Sequence, residues 1–250
     1  LRRALKGHDI VFHMACNSDV QISARKTDID LKLGTLATYN VLETMRHLGI
    51  RKIVFASTSA VYGEAAVLPT PEHYGPMLPI SMYGANKLAA EALISSFSHC
   101  FNFQAWIFRF ANIAGKNGTH GIHVDFIRKL RRNKKSLLIL GDGRQAKPYL
   151  HVADCVEGML HGLRHGKNSI NVLNLTPHDR TSVADIAHII VRQMGLRDVE
   201  FRYSGGSRGW TGDVPRVLLD GAKMKKLGWQ PSQNSRQAVL KAATELARQL

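Results

Sequence analysis

Short apolar runs alternate along this chain with longer stretches of good helix formers, and this alternation restricts the possible folds more than any other feature. The apolar run at residues 53–56 ends in Ser57-Thr58-Ser59, and a helix-forming stretch follows at residues 79–100. Strands of a parallel sheet are buried on both faces and need a helical crossover between them. The pattern therefore predicts an α/β protein with a doubly wound parallel sheet.

The alternation extends to both sides of that pair and then changes. Strand-like runs lie at residues 9–15, 52–57, 103–109 and 169–175, and helix-forming stretches lie at residues 28–48, 79–100 and 153–165. After Gly115 come a basic helix, short strands near 137–140 and 199–203, and a final helix from about Ser235. We expect residues 1–114 and 152–176 to form a sheet domain, and residues 115–151 and 177–250 to form a smaller lobe.

One pair of side chains in this pattern has a chemical use. Tyr83 and Lys87 are separated by four residues in a predicted helix, so they lie on one face. A free tyrosine has a pKa of about 10, and a nearby ammonium group favours its phenolate form. Thr58, at the end of the preceding strand, is placed to bind the same substrate oxygen. The alternative for a Tyr-x-x-x-Lys spacing alone is a half-buried tyrosine beside a solvated lysine.

Residues 55–63, FASTSAVYG, and residues 83–87, YGANK, resemble the extended short-chain dehydrogenase/reductase superfamily. Within it the chain is most similar to the NAD-dependent epimerase/dehydratase family, in particular to nucleotide-sugar epimerases of the UDP-glucose 4-epimerase type. The resemblance implies a Rossmann-like sheet domain and a smaller substrate-binding lobe. It also implies epimerisation at C4 of a nucleotide-diphosphate sugar by transient hydride transfer, with Thr58, Tyr83 and Lys87 as catalytic residues.

The same resemblance implies a set of cofactor-binding residues for NAD. His13-Met14-Ala15-Cys16 is similar to the family segment whose backbone approaches the cofactor, so that Met14, Ala15 and Cys16 are expected to contact it. Ser57, Tyr83 and Lys87 complete the expected cofactor site. The family motif Asn-x-x-Gly-Thr is matched at Gly34-Thr35, but Leu31 stands at the asparagine position, so that contact is not expected here.

Three further segments imply the residues that bind the substrate. The segment from Arg109 to Gly115 resembles Arg-Phe-x-Asn-x-x-Gly, which makes Asn112 a ligand of the diphosphate; the alternative is an asparagine that only forms a turn. Lys147 occupies a position where the family has a basic residue for the phosphates. Arg208 and Asp213 match the Arg-x-x-x-Gly-Asp loop that closes over the nucleotide, and the alternative is an ordinary glycine-rich loop.

The start of the chain departs from the family pattern. No Gly-x-x-Gly-x-x-Gly turn precedes the first strand-like run, and the chain begins at Leu1. We therefore expect a fragment of a longer protein, with a sheet that is incomplete at its amino-terminal half. We also expect an unpaired apolar edge at residues 9–15, and weak NAD binding by the 250-residue chain alone, which isothermal titration would test.

Charge and composition limit the partners. The formal net charge of +15 indicates anionic partners, such as a dinucleotide and a nucleotide-diphosphate sugar. Much of the excess lies in residues 128–135, which we interpret as a solvated helix face. No run is long enough to span a bilayer, and three widely separated cysteines without a Cys-x-x-Cys pattern indicate reduced thiols in a cytoplasmic protein. His161 and His165 have no third ligand at a suitable spacing, so no metal is expected.

Other activities stay open at this point. A reductase or another epimerase of the superfamily would carry the same motifs. A 4,6-dehydratase is disfavoured because Ser59-Ala60 stands where those enzymes have an acidic pair. A nucleic-acid-binding protein on a degenerate Rossmann scaffold would explain the charge, but it would leave the Tyr83–Lys87 pair without a role. The family also implies a homodimer formed through the helices near residues 28–48 and 80–100.

Overall fold

A parallel sheet with helices on both faces forms the larger part of the protein. The computed structural model describes residues 1–17, 19–20 and 22–250. The strands are β1 (Ile10–His13), β2 (Lys52–Thr58), β3 (Gln104–Phe110), β4 (Asn112–Ala114), β5 (Ser136–Ile139), β6 (Ala146–Lys147), β7 (Tyr149–His151), β8 (Ile170–Leu175), β9 (Thr181–Ser182) and β10 (Glu200–Tyr203). The helices are α1 (Arg2–Leu5), α2 (Asp28–Asp30), α3 (Ala37–Leu48), α4 (Met82–Phe101), α5 (Ile122–Arg132), α6 (Val152–His165), α7 (Val183–Gln193), α8 (Ala222–Lys226) and α9 (Ser235–Gln249).

The main sheet has the predicted parallel arrangement. Its strands lie side by side in the order β1, β2, β3, β8, and every neighbouring pair is parallel. Among the described residues β1 pairs only with β2, so its other edge is open, and Phe12 on this strand is exposed. The expectation of an unpaired apolar edge at residues 9–15 is therefore confirmed.

Alternating side chains of β2 enter two different hydrophobic clusters, which confirms that helices cover both faces. Ile53 and Phe55 pack with residues of α3 and α4, including Leu42 and Ile94. Val54, which points the other way, packs with Met159 of α6 and with side chains of β3 and β8. This is the doubly wound architecture expected from a continuous apolar strand sequence.

The smaller lobe has a core of its own, built mainly from α5, α7, α9 and the paired strands β5 and β10. Helix α5 is strongly amphipathic. Phe126, Ile127 and Leu130 are buried in this core, whereas Arg128 and Arg131 are on the solvent side. The basic run of residues 128–135 is thus a solvated face, as predicted.

Two helix boundaries differ from the predictions for local reasons. The predicted helix at residues 28–48 contains a π-helical stretch, Leu31–Leu36, between α2 and α3, and it ends at Gly49 with φ of +73°. The next helix begins at Met82 and not near residue 79, because the Ser81 hydroxyl caps it by accepting a bond from Gly84 N at 3.1 Å.

Two properties of the whole chain bear on its environment. No helix in the described part of the chain has the length and apolar character needed to cross a membrane. The cysteines Cys16, Cys100 and Cys155 are all free thiols, and only Cys155 is buried.

Candidate active site

The carboxyl end of β2 and the first turn of α4 meet at the edge of the main sheet. Gly84, directly after Tyr83, makes this close approach possible. A Cβ atom at this glycine would lie 2.6 Å from the carbonyl oxygen of Ala60, in the turn that follows β2. Any larger residue would force the helix away from the strand end. The structure thereby brings Tyr83 to the end of the strand that carries Thr58.

Thr58, Tyr83 and Lys87, the predicted catalytic residues, lie together at this position. Thr58 lies close enough to Tyr83 for its hydroxyl to lower the pKa of the phenol. The Lys87 ammonium nitrogen lies 5.8 Å from the centroid of the Tyr83 ring and donates a bond of 2.6 Å to the carbonyl oxygen of Ala56. Lys87, one helical turn after Tyr83, and Thr58, at the end of β2, therefore both lie next to the Tyr83 phenol.

The pKa of Tyr83 differs from what the Lys87 pairing alone predicts. Burial raises the pKa of this phenol, and the neighbouring Cys16 and Asp30 side chains raise it further, while the hydrogen bond with Thr58 lowers it. The protein's own groups therefore hold Tyr83 in its protonated form. Desolvation is the largest of these effects, because an anion loses more hydration on burial than the interaction with Thr58 returns.

Lys87 is a buried cation with limited compensation. Its side chain is 2% exposed, and burial lowers its pKa, whereas Cys16, Asp30 and Glu91 favour the charged form. Its ammonium group donates one bond of 2.6 Å, to Ala56 O. Because an ammonium group has three N–H donors, it has the capacity to bind a further molecule.

The segment after β1 lies near this lysine. Cys16 acts electrostatically on both Lys87 and Tyr83, which places the Met14-Ala15-Cys16 segment near the catalytic residues, and Met14 is exposed toward solvent. The contact of this segment with a cofactor stays a prediction. His13, at the end of β1, is buried and bonds Thr38 at 2.9 Å; burial, with a smaller effect of Lys87, lowers its pKa to about 4.

Asp30 is a site residue that the sequence comparison missed. Leu31, at the position of the family asparagine, is half-exposed, whereas Asp30 is buried and acts electrostatically on both Tyr83 and Lys87. One of its oxygens accepts from Asn17 Nδ2 at 3.0 Å, and the other, Oδ2, has no partner in the described part of the chain. The π-helical stretch that starts at Leu31 shifts the helix register here, which a linear motif does not reveal.

The Ser57 side chain belongs to an internal network behind the catalytic residues. Its hydroxyl is buried and donates to the carboxylate of Glu91, which also binds Arg109. The expected contact of Ser57 with the cofactor stays a prediction, which its backbone would have to make. No motif signalled this network, because its members come from separate strands and helices.

The four predicted substrate residues form one continuous group. Asn112 Nδ2 points toward the carbonyl oxygen of Pro148 at 3.5 Å, next to Lys147. Lys147 forms an ion pair with Asp213, and the carbonyl oxygen of Asp213 accepts from Arg208 at 2.7 Å. The structure thus brings Asn112, Lys147, Arg208 and Asp213 together, although both cations already have protein partners.

A surface cavity adjoins this group. It has a volume of about 490 Å³ and is lined by Glu64, Ile80, Arg208, Trp210, Thr211 and Gly212. Arg208, which lines the cavity, also forms an ion pair with Glu64 at 2.8 Å. Since Ile80 directly precedes the Ser81 cap of α4, the cavity connects the cationic group with the helix that carries Tyr83.

The histidines of α6 have partners of their own. The rings of His161 and His165 stack with centroids 4.0 Å apart. His161 Nε2 bonds Leu227 O at 2.7 Å, and His165 Nδ1 bonds His161 O at 2.9 Å. Within the described ranges, no group of three or more His, Cys, Asp or Glu side chains is arranged to hold a metal ion.

Comparison with known proteins agrees with this arrangement. Residues 1–175 match the model of the NAD dependent epimerase/dehydratase family. A putative UDP-glucose 4-epimerase of Methanocaldococcus jannaschii is 35% identical over 231 residues, which cover 90% of this chain and 73% of that protein.

Solved structures show the same similarity. A crystal structure of a UDP-galactose 4-epimerase superposes with a TM-score of 0.90 at 39% identity, covering 99% of this chain and 80% of the other. A UDP-glucose 4-epimerase of Thermotoga maritima, solved with UDP-glucose, has a TM-score of 0.88 at 29% identity, covering 99% and 81%. The chain belongs to the NAD-dependent epimerase/dehydratase family.

Proposed function

We propose that this protein is a nucleotide-sugar 4-epimerase that interconverts UDP-glucose and UDP-galactose with NAD as its cofactor. The observation that carries the proposal is the convergence of Thr58, Tyr83 and Lys87 beside a cationic group that suits a diphosphate. The names of the similar proteins, which are UDP-glucose and UDP-galactose 4-epimerases, support the same substrate class.

The residues around Lys87 fit a dinucleotide. Lys87 keeps a free N–H donor, and within the described residues Asp30 Oδ2 and Asn86 Nδ2 are buried without partners, which favours a polar ligand nearby. Ala15 and Cys16 are small enough for close approach of the cofactor. The bound cofactor supplies the group that accepts a hydride from the sugar and returns it. Its oxidised ring also carries a positive charge, which favours a phenolate at Tyr83.

The catalytic role of the chain's own residues is transfer of a proton at the sugar's 4-hydroxyl. Tyr83 accepts this proton in one direction and returns it in the other. Thr58 lies next to the phenol and is placed to hold the same substrate oxygen. Lys87 stabilises the phenolate electrostatically and donates to the cofactor. Tyr83 is half-buried, so that bound ligands would exclude the remaining water from these groups.

The cationic side chains Lys147 and Arg208 are assigned to bind the substrate's diphosphate. Arg208 and Lys147 already contact Glu64 and Asp213, so they exchange carboxylate partners for phosphate oxygens when the substrate binds. Lys147 acts as a point charge, whereas Arg208 is able to bind two oxygens at once. Asn112 contributes an amide beside Lys147, and Asp213 is left to accept from a ribose hydroxyl.

The segment after β2 favours an epimerase over a dehydratase. Ser59-Ala60 begins the 3₁₀ turn Ser59–Tyr62 directly after Thr58. A dehydratase needs an acid there to protonate the departing hydroxyl group, and neither residue is able to do this. The same turn carries Tyr62, which is buried and bonded internally.

The test is the substitution Tyr83→Phe. It removes the proton acceptor, so interconversion of UDP-glucose and UDP-galactose should be lost while the circular dichroism spectrum is retained. Tyr203→Phe, at an exposed tyrosine of β10, is the matched control and should keep full activity. Turnover by Tyr83→Phe at the wild-type rate would contradict the proposed mechanism, and an inactive wild-type protein supplied with NAD would contradict the proposed activity.

A further inference from the structure

A buried ion pair lies directly behind the catalytic side chains. Arg109 on β3 donates to Glu91 on α4 through Nη2 at 2.6 Å and through Nε at 3.0 Å. The same carboxylate accepts from the hydroxyl of Ser57 on β2. Glu91 and Arg109 are 6% and 3% exposed, so the pair is enclosed by protein.

The other side of the guanidinium group extends the network across the sheet. Arg109 Nη1 donates to Tyr62 Oη and to Glu72 O, both at 3.0 Å. Tyr62 Oη donates in turn to Asn174 Oδ1 at 2.8 Å, on β8. One cation thus joins the turn that follows Thr58 to three neighbouring strands and to α4.

The location of this network couples it to the catalytic geometry. Tyr83, Lys87 and Glu91 are spaced four residues apart and form one stripe along α4. Ser57 is the direct neighbour of Thr58, and β-sheet register places it opposite Arg109. The Glu91 carboxylate therefore ties α4, which carries Tyr83, to the strand end that carries Thr58.

Stability alone does not account for such a pair. Taking two charges out of water costs several kcal/mol for each ion, and apolar residues of similar volume often serve folding equally well. The bidentate geometry fixes direction as well as distance, which an apolar contact does not do. What the pair supplies here is a fixed orientation of α4 relative to β2 and β3.

We propose that Glu91 and Arg109 are positioning residues, which hold the Tyr83 phenol beside the Thr58 hydroxyl. They touch neither substrate nor cofactor and act through the backbone of α4 and β2. The inference rests on the proposed function, because the geometry being held is that of the proposed proton transfer. It assigns a positioning role to Glu91, which no motif includes, and to Arg109, whose motif was used only for the diphosphate ligand Asn112.

The central variant is Arg109→Lys, which keeps the charge but loses the bidentate geometry. We expect kcat for UDP-galactose to fall by about 10- to 100-fold, since a displacement of about 1 Å of reacting groups has effects of this size. KM for the sugar nucleotide and the dissociation constant of NAD should stay within about threefold, because neither ligand contacts Arg109. Glu91→Gln should also lower kcat and leave KM and the dissociation constant of NAD nearly unchanged.

Trp106→Phe is the matched control on the same strand. It removes a buried bond from Trp106 Nε1 to Gly166 O of 3.2 Å, away from the catalytic residues. It should lower the melting temperature but leave kcat unchanged at temperatures where the protein is folded. A similar loss of kcat in Trp106→Phe would show that general destabilisation explains the effect, and this would overturn the positioning role.

A crystal structure of the Arg109→Lys protein gives a readout that does not depend on activity. We expect the distance between Thr58 Oγ1 and Tyr83 Oη to be longer than in a crystal structure of the wild-type protein. If Arg109→Lys keeps both kcat and this distance while the wild-type enzyme is active, only the positioning role is refuted. An inactive wild-type protein would refute the proposed function, and the crystallographic distance would still decide the positioning role.

Discussion

A buried tyrosine is a weak acid, and the neighbours of Tyr83 make it weaker. Burial raises its pKa, and Cys16 and Asp30 add to this effect. Of the side chains that act on the phenol, Thr58 is the one that lowers the pKa, through its hydrogen bond. A hydroxyl donor to a phenolate is a charge-assisted bond, and such bonds contribute about 1.5–3 kcal/mol. Thr58 therefore has an electrostatic role in addition to the contact with the substrate that we propose for it.

This role predicts the pH dependence of Thr58 variants. Removal of the hydroxyl in Thr58→Val should raise the pKa of Tyr83 by about one to two units, because each unit corresponds to about 1.4 kcal/mol. The acidic limb of the pH profile of kcat should move upward by that amount. Thr58→Ser keeps the donor and should restore the wild-type profile. A Thr58→Val profile that coincides with the wild type would rule out this effect on the phenol.

Some site residues are visible in the sequence because they are close together in the chain. Tyr83 and Lys87 share one helix face by spacing alone, and Thr58 ends a strand that the apolar sequence predicts. Asp30 and Glu91 are not visible in this way, because their partners come from other elements. The hydrogen bond from Ser57 to Glu91 likewise depends on how distant segments pack, which a local sequence pattern does not reveal.

Helix α4 determines how the catalytic residues meet, and its first turn has little room. The Ser81 cap sets where it begins, and Gly84 permits contact with the turn after β2. Helix-forming composition predicted the existence of this helix, but its start depends on the cap. The cap in turn depends on the extended backbone of Ser81, with φ of −132°, which follows a proline-rich loop.

We expect Gly84→Ala to impair the site through this contact. A methyl group 2.6 Å from Ala60 O is incompatible with van der Waals radii, so α4 must move away from β2. Stability should fall by about 1–3 kcal/mol in denaturant unfolding, and kcat should fall more steeply than KM changes. The control Ala92→Gly, at an exposed position of α4, should cost up to about 1 kcal/mol with kcat unchanged. Full activity of Gly84→Ala would show that the close approach is dispensable.

Helix α5 contains a histidine whose burial has a measurable cost. His123 is 5% exposed, its Nε2 has no partner in the described part of the chain, and burial lowers its pKa to about 4. An unfolded histidine has a pKa of about 6.5, so the unfolded state binds more protons between these values. The contribution of His123 to stability is therefore greatest above pH 6.5 and is lost as the pH falls toward 4.

Replacement of His123 should make the stability of the protein depend less on pH. His123→Leu should be more stable than the wild type by about 2 kcal/mol at pH 5, with a smaller difference at pH 7. Urea unfolding at both pH values measures this difference. The titration of His13 contributes equally to the stability of both proteins, so it cancels in the comparison. His99→Gln, at an exposed position of α4, is the control. Equal stability differences at pH 5 and pH 7 would exclude titration of His123 as the cause.

At the scale of the molecule, the sheet was the most predictable part. Continuous apolar strands and intervening helices predicted its parallel order, and the structure confirms it. The lobe core was not predictable in the same detail, because α5, α7 and α9 meet from distant parts of the chain. The assignment of residues 1–114 and 152–176 to one domain, and of residues 115–151 and 177–250 to a lobe, stays a proposal.

The surface of the π-helical stretch and α3 bears on the oligomeric state. Four apolar side chains expose about half of their area there, namely Leu31, Leu33, Leu36 and Tyr39. Contiguous apolar surface of this kind is unusual on a monomer and indicates a binding surface. The charge of +15 disfavours association of two copies, so contact requires a locally apolar face. This face also lies within residues 28–48, where the family resemblance implies a dimer interface.

We therefore expect a homodimer that buries this face, and Leu36→Glu should dissociate it. A carboxylate placed in an apolar interface loses its hydration without gaining a partner, which costs several kcal/mol. Size-exclusion chromatography with light scattering should give the dimer mass for the wild type and the monomer mass for Leu36→Glu. Leu138→Glu, at a similarly exposed leucine of β5, is the matched control and should stay dimeric. A monomeric wild type at micromolar concentration would contradict the predicted dimer. A dimer that tolerates Leu36→Glu would show that the interface lies elsewhere on the surface.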